Sequence, residues 1–97
     1  MNEAAEACRV DVWLWRARFC KTRSLAARLI EEGKVRLARA GQEMRLDKPA
    51  RTLKVGDGLV FAIEGRLHAV KVEALGVRRG PPDEARELYT GLDGSAT

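Results

Sequence analysis

The sequence predicts an α+β fold, in which a pair of short helices packs on a small antiparallel sheet and a short helix lies near the C-terminus. Three observations predict this class. Apolar residues recur every three or four positions over 10–30, which is typical of amphipathic helices. Over 34–75 they alternate with polar residues, as in half-buried strands. Pro82 and Asp83 then form a helix start.

The first helix is predicted from an apolar stripe at i, i+3, i+4 and i+7, formed by Val10, Trp13, Leu14 and Ala17. Asp11, near the start, suits the positive end of the helix dipole. Trp15 falls on the opposite face with Arg18. Trp15 is therefore either a partly covered core residue or a platform on which a base could stack.

A second helix is predicted to follow at once. Thr22 is a good N-cap residue, and Gly33 can end the helix in the left-handed conformation. The predicted buried stripe is Leu25, Ala26, Leu29 and Ile30.

The period changes to two after Gly33. The segments at 34–39 ("KVRLAR") and 42–47 ("QEMRLD") are predicted to form a hairpin across the turn Ala40-Gly41. The segment 52–63 ("TLKVGDGLVFAI") predicts a further strand pair, hinged at Gly56-Asp57-Gly58.

The C-terminal part adds one strand and one helix. A turn at Glu64-Gly65-Arg66 leads into a strand at 67–75 ("LHAVKVEAL"). The helix that opens at Pro82 is predicted to place Ala85, Leu88, Tyr89 and Leu92 on one side. The expected order is α-α-β-β-β-β-α.

Length and composition predict one domain over 9–90, with flexible tails at 1–8 and 91–97. No window approaches eighteen apolar residues, and the acidic N-terminus has no apolar stretch of the secretory type. Cys8 and Cys20 are too far apart for a C-x-x-C motif, so neither a disulfide framework nor a zinc site is indicated. We expect a reduced, cytoplasmic protein without a cofactor or a metal.

The positive charge is concentrated in one third of the chain. Residues 9–39 contain nine Lys and Arg side chains against three carboxylates, a net charge of +6, although the whole chain carries +4. Residues 40–97 are balanced, and residues 1–8 carry −2. Such segregation is typical of a localised binding site for a polyanion.

The basic residues gather where the second helix is predicted to begin. Free backbone N–H groups and the positive dipole end already make a helix start attractive to anions. The candidate side chains at or near this start are Arg18, Lys21, Thr22, Arg23, Ser24, Arg28, Lys34 and Arg36. Arginine dominates, and its planar guanidinium suits phosphate oxygens and stacking on bases.

The segment "RVDVWLWRARFCKTRSLAARLIEEGKV" resembles the S4 RNA-binding domain. The helix pair, the basic opening of the second helix, the "AARLIEEGKV" ending and the later "VGD" turn all match. "WLWRARFCKTRSLA" and "RRGPPDEARELY" are similar to signatures of the heat shock protein 15 family. The resemblance covers about residues 9–90.

The resemblance implies a helix pair laid on a curved antiparallel sheet, and structured RNA (rRNA, possibly tRNA) as the ligand. Family members associate with the large ribosomal subunit, notably one that retains a nascent chain on tRNA after translation has stalled. Carried over to this sequence, the RNA surface comprises Arg9, Asp11, Arg18, Lys21, Thr22, Arg23, Ser24, Arg28 and Lys34. Two departures are that Val12 replaces a usual lysine and that a Lys-rich helical tail common in relatives is not among the 97 residues.

Enzymatic functions fit the sequence poorly. His68 is the only histidine and lies in an alternating strand without an acidic neighbour, so a surface histidine is expected. Lys21 could lower the pKa of the adjacent Cys20 thiol, but no base lies nearby and a small apolar filler is the favoured reading. No phosphate-binding glycine loop, carboxylate pair or metal-ligand cluster is present. We expect a monomer that is not an enzyme.

Two other classes remain as alternatives. A DNA-binding helix-turn-helix protein also has two short helices with a basic second one, although that motif usually belongs to a helical bundle. A protein-interaction β module would explain the sheet but not the +6 segment. RNA binding is the favoured function.

Overall fold

The computed structural model describes residues 7–92 and confirms the α+β class. Both helices of the N-terminal pair, the two-residue hairpin turn at Ala40-Gly41 and the turn at Glu64-Gly65 lie where the sequence predicts them. The helices are α1 (Val10–Arg16), α2 (Arg23–Glu31) and α3 (Pro82–Arg86). The strands are β1 (Ala7–Arg9), β2 (Val35–Arg39), β3 (Gln42–Arg45), β4 (Thr52–Lys54), β5 (Gly58–Ile63), β6 (Arg66–Val72) and β7 (Tyr89–Gly91).

Five strands form one antiparallel sheet in the order β3-β2-β5-β6-β7. Side chains alternate between the two faces, so that Val35, Leu37, Leu59, Phe61 and Val70 point into the core. β1 and β4 form a separate antiparallel pair, which leads directly into α1.

The predicted pairing of the two segments around Gly56-Asp57-Gly58 is wrong. β4 pairs with β1, whereas β5 lies between β2 and β6. The buried Asp57 carboxylate fixes this turn, because it accepts hydrogen bonds from the Arg39 side chain at 2.9 and 2.6 Å and from the Lys54 N–H at 2.8 Å. The turn therefore redirects the chain from one sheet to the other.

The N-terminal boundary also differs from the expectation. Ala7 and Cys8, predicted to belong to the tail, pair with Lys54 and Leu53. A three-residue strand has too few alternating positions to be recognised in the sequence. At the other end of the chain, Gly91 of β7, also predicted to belong to a tail, pairs with Val70 of β6, and the Leu92 N–H donates to the Ala69 carbonyl at 2.9 Å. Residues 1–6 and 93–97 of the predicted tails lie outside the described residues.

The core forms between the helix pair and one face of the sheet. Trp13 and Leu14 of α1 are fully buried, and the Trp13 indole N–H donates to the Ala74 carbonyl at 2.9 Å. Ala26 and Ile30 of α2 are also fully buried, as the stripe predicts. Leu25 is not, since it is 46% exposed at the edge of that stripe.

The C-terminal helix is shorter than predicted. α3 ends at Arg86, and Tyr89 belongs to β7, where it pairs with Val72. Its ring lies 4.7 Å from that of Phe19 and 6.5 Å from that of Trp13, measured between centroids. Because Tyr89 pairs with β6 and its ring packs near Phe19 and Trp13, the helix does not continue to Leu92 as predicted.

Candidate nucleic-acid interface

The connection between α1 and α2 is a tight turn with a defined backbone. The N–H groups of Phe19 and Cys20 both donate to the Leu14 carbonyl and close the end of α1. Arg18 has φ of 66°, a left-handed conformation that few residues other than glycine adopt. Its side chain donates from Nε to the Gly80 carbonyl at 2.7 Å, which holds the guanidinium against the loop before α3.

The start of α2 has the geometry predicted for it. The Thr22 hydroxyl accepts a hydrogen bond from the Leu25 N–H at 3.0 Å, so Thr22 is the N-cap. Lys21, Arg23 and Ser24 surround this cap and are all exposed. Helix dipole, unpaired N–H groups and two cations therefore meet at one place on the surface.

A groove runs along the outer face of α2 and is bounded on the other side by the end of β5. We call it the α2 groove; its volume is about 540 Å³. Its charged rim consists of Arg18, Lys21, Arg28, Lys34, Glu32 and Glu64. Its floor is apolar and includes Phe19, Leu25, Leu29 and Ile63.

The rim charges are only partly compensated. Lys34 forms an exposed ion pair with Glu32 at 3.3 Å. Within residues 7–92, none of Lys21, Arg23 and Arg28 forms an ion pair with a carboxylate. Unpaired cations side by side repel each other, and an anionic ligand would relieve that repulsion.

Arg36 lies next to this groove, on the outer face of the sheet. It pairs with Glu43 across β2 and β3 at 3.4 Å, and both side chains are exposed. A shallower hollow of about 410 Å³ is lined by Arg36 and also by Lys34, so it adjoins the α2 groove. The structure thus places five predicted residues, Arg18, Lys21, Arg28, Lys34 and Arg36, along one continuous surface.

Arg9 and Asp11 form a separate feature at the start of α1. The Arg9 guanidinium donates to both carboxylate oxygens of Asp11, at 3.0 and 2.9 Å. Asp11 is only 3% exposed, whereas Arg9 is exposed. The hydrogen bond to Asp11 raises the pKa of Arg9, and this buried carboxylate fixes the direction of an exposed guanidinium.

The charge of Arg23 also acts on β1. Burial raises the pKa of the Cys8 thiol there, whereas the charge of Arg16 and, more weakly, that of Arg23 lower it.

Trp15 is half-buried, and its backbone carbonyl accepts a hydrogen bond from Arg79 Nε at 3.0 Å. As the helix wheel predicts, Trp15 is less buried than Trp13, which is fully buried. Half-burial does not distinguish a partly covered core residue from a platform for stacking, so a role of Trp15 in stacking stays a prediction.

Sequence reasoning missed how the C-terminal signature contacts α1. Arg16 Nη1 donates to the carbonyls of Gly76 and Leu75 at 2.8 and 3.3 Å. In the opposite direction, Arg79 Nε donates to the Trp15 carbonyl near the end of α1. With the bond from Arg18 to Gly80, these contacts form what we call the arginine latch: Arg16, Arg18 and Arg79. The only trace of the latch in the sequence is that arginines are close together in both segments, at Arg16 and Arg18 and again at Arg78 and Arg79. No spacing rule links segments about sixty residues apart.

The cysteine and the histidine considered as reactive groups, Cys20 and His68, are buried and half-buried, respectively. Burial raises the pKa of the Cys20 thiol to about 11, the opposite of a lowering by Lys21, and the position of Cys20 in the hydrophobic core agrees with the favoured interpretation of a small apolar filler. His68 is half-buried instead of lying on the surface, with its ring 5.3 Å from Phe61 and 5.4 Å from Phe19. Burial, and secondarily the charge of Arg66, lowers the pKa of His68.

Residues 7–92 contain no group of three or more His, Cys, Asp or Glu side chains placed to hold a metal ion. None of the helices in this range is long and apolar enough to cross a membrane.

Comparison with known proteins agrees with this geometry. The S4 domain model matches residues 8–38, which contain α1, α2 and most of β1 and β2. Heat shock protein 15 of Escherichia coli K12 is 40% identical over 88 residues, which is 91% of this chain. Its homolog in Haemophilus influenzae is 35% identical over 92 residues, or 95% of this chain.

A solved structure described as trimeric Vibrio cholerae Heat Shock Protein 15 superposes with a TM-score of 0.79 and 34% identity, covering 93% of this chain and 86% of that one. The chain belongs to the heat shock protein 15 family. The α+β fold with an S4 domain is that of the family. The chain spans 62% of the length of the Escherichia coli heat shock protein 15 and 66% of the Haemophilus influenzae homolog.

Proposed function

We propose that this protein is a non-enzymatic RNA-binding protein that holds structured rRNA or tRNA against the start of α2 and the α2 groove. The observation that carries the proposal is the group of cations without carboxylate partners in residues 7–92, namely Lys21, Arg23 and Arg28. Lys21 and Arg23 flank a helix start whose N–H groups also attract anions, and Arg28 lies further along α2 on the rim of the α2 groove. Membership of the heat shock protein 15 family and the S4 domain match support the same function.

The contacts would be divided between positioning and binding. Arg23, Ser24 and Lys21 at the start of α2 would bind phosphate oxygens directly, because they are exposed around the cap. Asp11 would act through Arg9, since its carboxylate is buried and both of its oxygens are occupied. The Thr22 hydroxyl caps α2, so Thr22 would keep the site in shape while its neighbours touch RNA.

The finer proposal concerns the partner and the place. The protein would associate in the cytoplasm with large ribosomal subunits, especially those that retain a nascent chain on tRNA after translation has stalled. The family resemblance at both ends of the chain supports this proposal.

Co-sedimentation with separated ribosomal subunits tests the proposal. We expect the protein to pellet with large subunits, and most strongly with those that carry peptidyl-tRNA. Small subunits, vacant large subunits and a duplex DNA competitor are the controls. Pelleting with small subunits alone, or displacement from ribosomes by duplex DNA at equal nucleotide concentration, would contradict it.

The oligomeric state remains a prediction. We predict a monomer, whereas the Vibrio cholerae relative was solved as a trimer. Sedimentation equilibrium over a hundredfold range of concentration distinguishes the two, since a single species of 10.7 kDa is expected for a monomer.

A further inference from the structure

We propose that the α2 groove accommodates the base of one unpaired nucleotide, while neighbouring phosphates lie on its cationic rim. The inference rests on the proposed RNA binding and specifies which part of an RNA this surface recognises. Phosphate binding alone requires only exposed cations. The α2 groove offers more, because an apolar floor lies among those cations.

The floor of the α2 groove exposes apolar surface among charged side chains. Leu25 is 46% exposed although it lies one turn from the cap of α2. Phe19, Leu29 and Ile63 are half-buried and pack against the hydrophobic core, so the floor is rigidly supported from below. A nucleobase has two apolar faces and polar edges, and it gains free energy by packing on such a surface.

Size and charge both fit this occupant. The volume of about 540 Å³ falls within the range of roughly 300–1,000 Å³ typical of small-ligand sites. Lys21 and Arg28 lie on the rim without carboxylate partners in residues 7–92. The phosphates on either side of a bound nucleotide would compensate these charges, while Glu32 and Glu64 could accept hydrogen bonds from amino or hydroxyl groups.

One side of the rim is held in a fixed geometry. The hydrogen bond from Arg18 Nε to the Gly80 carbonyl, at 2.7 Å, ties this guanidinium to the loop before α3 and leaves its terminal nitrogens for a ligand. The left-handed backbone of Arg18 turns the side chain toward both the loop and the groove. A fixed cation beside an apolar floor loses little conformational entropy when a nucleotide binds.

The nucleotide must be unpaired, because a base within an A-form duplex is stacked on both faces and cannot lie on this floor. Bulged, looped or terminal nucleotides expose their faces, and moving them out of a helix costs the least free energy. The preferred RNA is therefore a helix interrupted by an unpaired nucleotide.

Two hairpin RNAs test the proposal, identical except that one carries a single bulged adenosine in its stem. Fluorescence anisotropy titrations should show about tenfold tighter binding of the bulged RNA. Leu25→Asn should reduce this preference to twofold or less, because it makes the floor polar without altering charge. Leu92→Asn is the matched control: Leu92 is 51% exposed, does not line the groove, and its substitution should leave the preference unchanged.

A second readout reports on the base itself. With 2-aminopurine in place of the bulged adenosine, binding should change its fluorescence for the unmodified protein and for Leu92→Asn, and not for Leu25→Asn at saturation. Thermal melts of both variants serve as the folding control.

The outcomes separate this proposal from the function on which it rests. Equal affinity for both hairpins, with Arg23→Ala weakening both, would overturn the nucleotide site and leave RNA binding intact. An equal loss of preference in both leucine variants would also overturn it. Failure to bind either hairpin at low salt would overturn both proposals.

Discussion

Individual side chains divide into those that shape the interface and those that are free to bind. Asp11 and Thr22 are engaged within the protein, by Arg9 and by the Leu25 N–H. Arg23 is exposed and lies where the helix dipole and the free N–H groups point. Only a residue of this second kind should affect affinity without affecting the fold.

Arg23→Ala should therefore weaken RNA binding by about 1.5–3 kcal/mol, the scale of a charge-assisted hydrogen bond, with the thermal midpoint nearly unchanged. Arg86→Ala is the control, because Arg86 is also an exposed helical arginine and its ion pair with Asp83 is on the surface. Titration of one structured RNA with both variants provides the comparison. Equal losses would mean that the site lies elsewhere.

The two tryptophans of α1 should behave differently. Trp13→Ala should cost about 3–5 kcal/mol of folding free energy, because the side chain is fully buried and its N–H is bonded to Ala74. If Trp15 stacks on a base, Trp15→Ala should cost about 1–3 kcal/mol of affinity and little stability. Thermal melts and RNA titrations on both variants show whether each tryptophan contributes to stability or to RNA affinity. A lower melting temperature with unchanged affinity for Trp15→Ala would assign this side chain to the core.

At the scale of elements, the sequence predicts what is local. Periodicity, the Thr22 cap and Gly33 place α2, and the residue pairs Ala40-Gly41 and Glu64-Gly65 place two hairpin turns. The pairings of β4 with β1 and of β7 with β6 depend on contacts distant in the chain, which three-residue strands do not encode locally. The exposure of Leu25 likewise depends on where β5 ends, so the helix wheel alone assigns it to the core.

The arginine latch is an element-scale contact whose role is stability. Arg16→Met should lower the free energy of unfolding by about 1–3 kcal/mol, because it leaves the carbonyls of Leu75 and Gly76 without these donors. Arg78→Met should change it by less than about 1 kcal/mol, since the Arg78–Glu84 pair is exposed. Urea unfolding of both variants measures the difference. RNA affinity of the folded Arg16→Met protein should be unchanged, and its loss would place Arg16 in the interface.

The aromatic cluster of Phe19, Phe61 and His68 makes stability depend on pH. Burial lowers the pKa of His68 in the folded protein below its ordinary value of 6.5, so the unfolded chain takes up the proton first. The contribution of neutral His68 to the stability of the fold is fully present above pH 6.5. It is lost as the pH falls through 6.5 toward the pKa of His68 in the folded protein. Urea midpoints between pH 8 and 5 should fall for the unmodified protein and fall less for His68→Leu. An equal fall of the urea midpoint in both proteins would contradict the assignment of this pH dependence to His68.

At the scale of the whole molecule, many cations of the N-terminal third gather along one surface. Five of the nine Lys and Arg side chains of residues 9–39 line the α2 groove and the adjoining hollow, and the sheet and the arginine latch support α1 and the start of α2. The sequence predicts this grouping from charge counting alone. It does not predict that the cations surround an apolar groove, because the groove forms only when α2 meets the end of β5.

The salt dependence of RNA binding tests the central claim most directly, namely that the cations around the start of α2 bind RNA phosphates. Each neutralised phosphate releases counterions, so about five to seven contacts should give a slope of roughly −4 to −6 for log K against log salt concentration. Arg23→Ala should make the slope less steep by about 0.7–0.9, and Arg86→Ala should leave it unchanged. A slope near zero at constant pH, or the same slope for all three proteins, would contradict the claim.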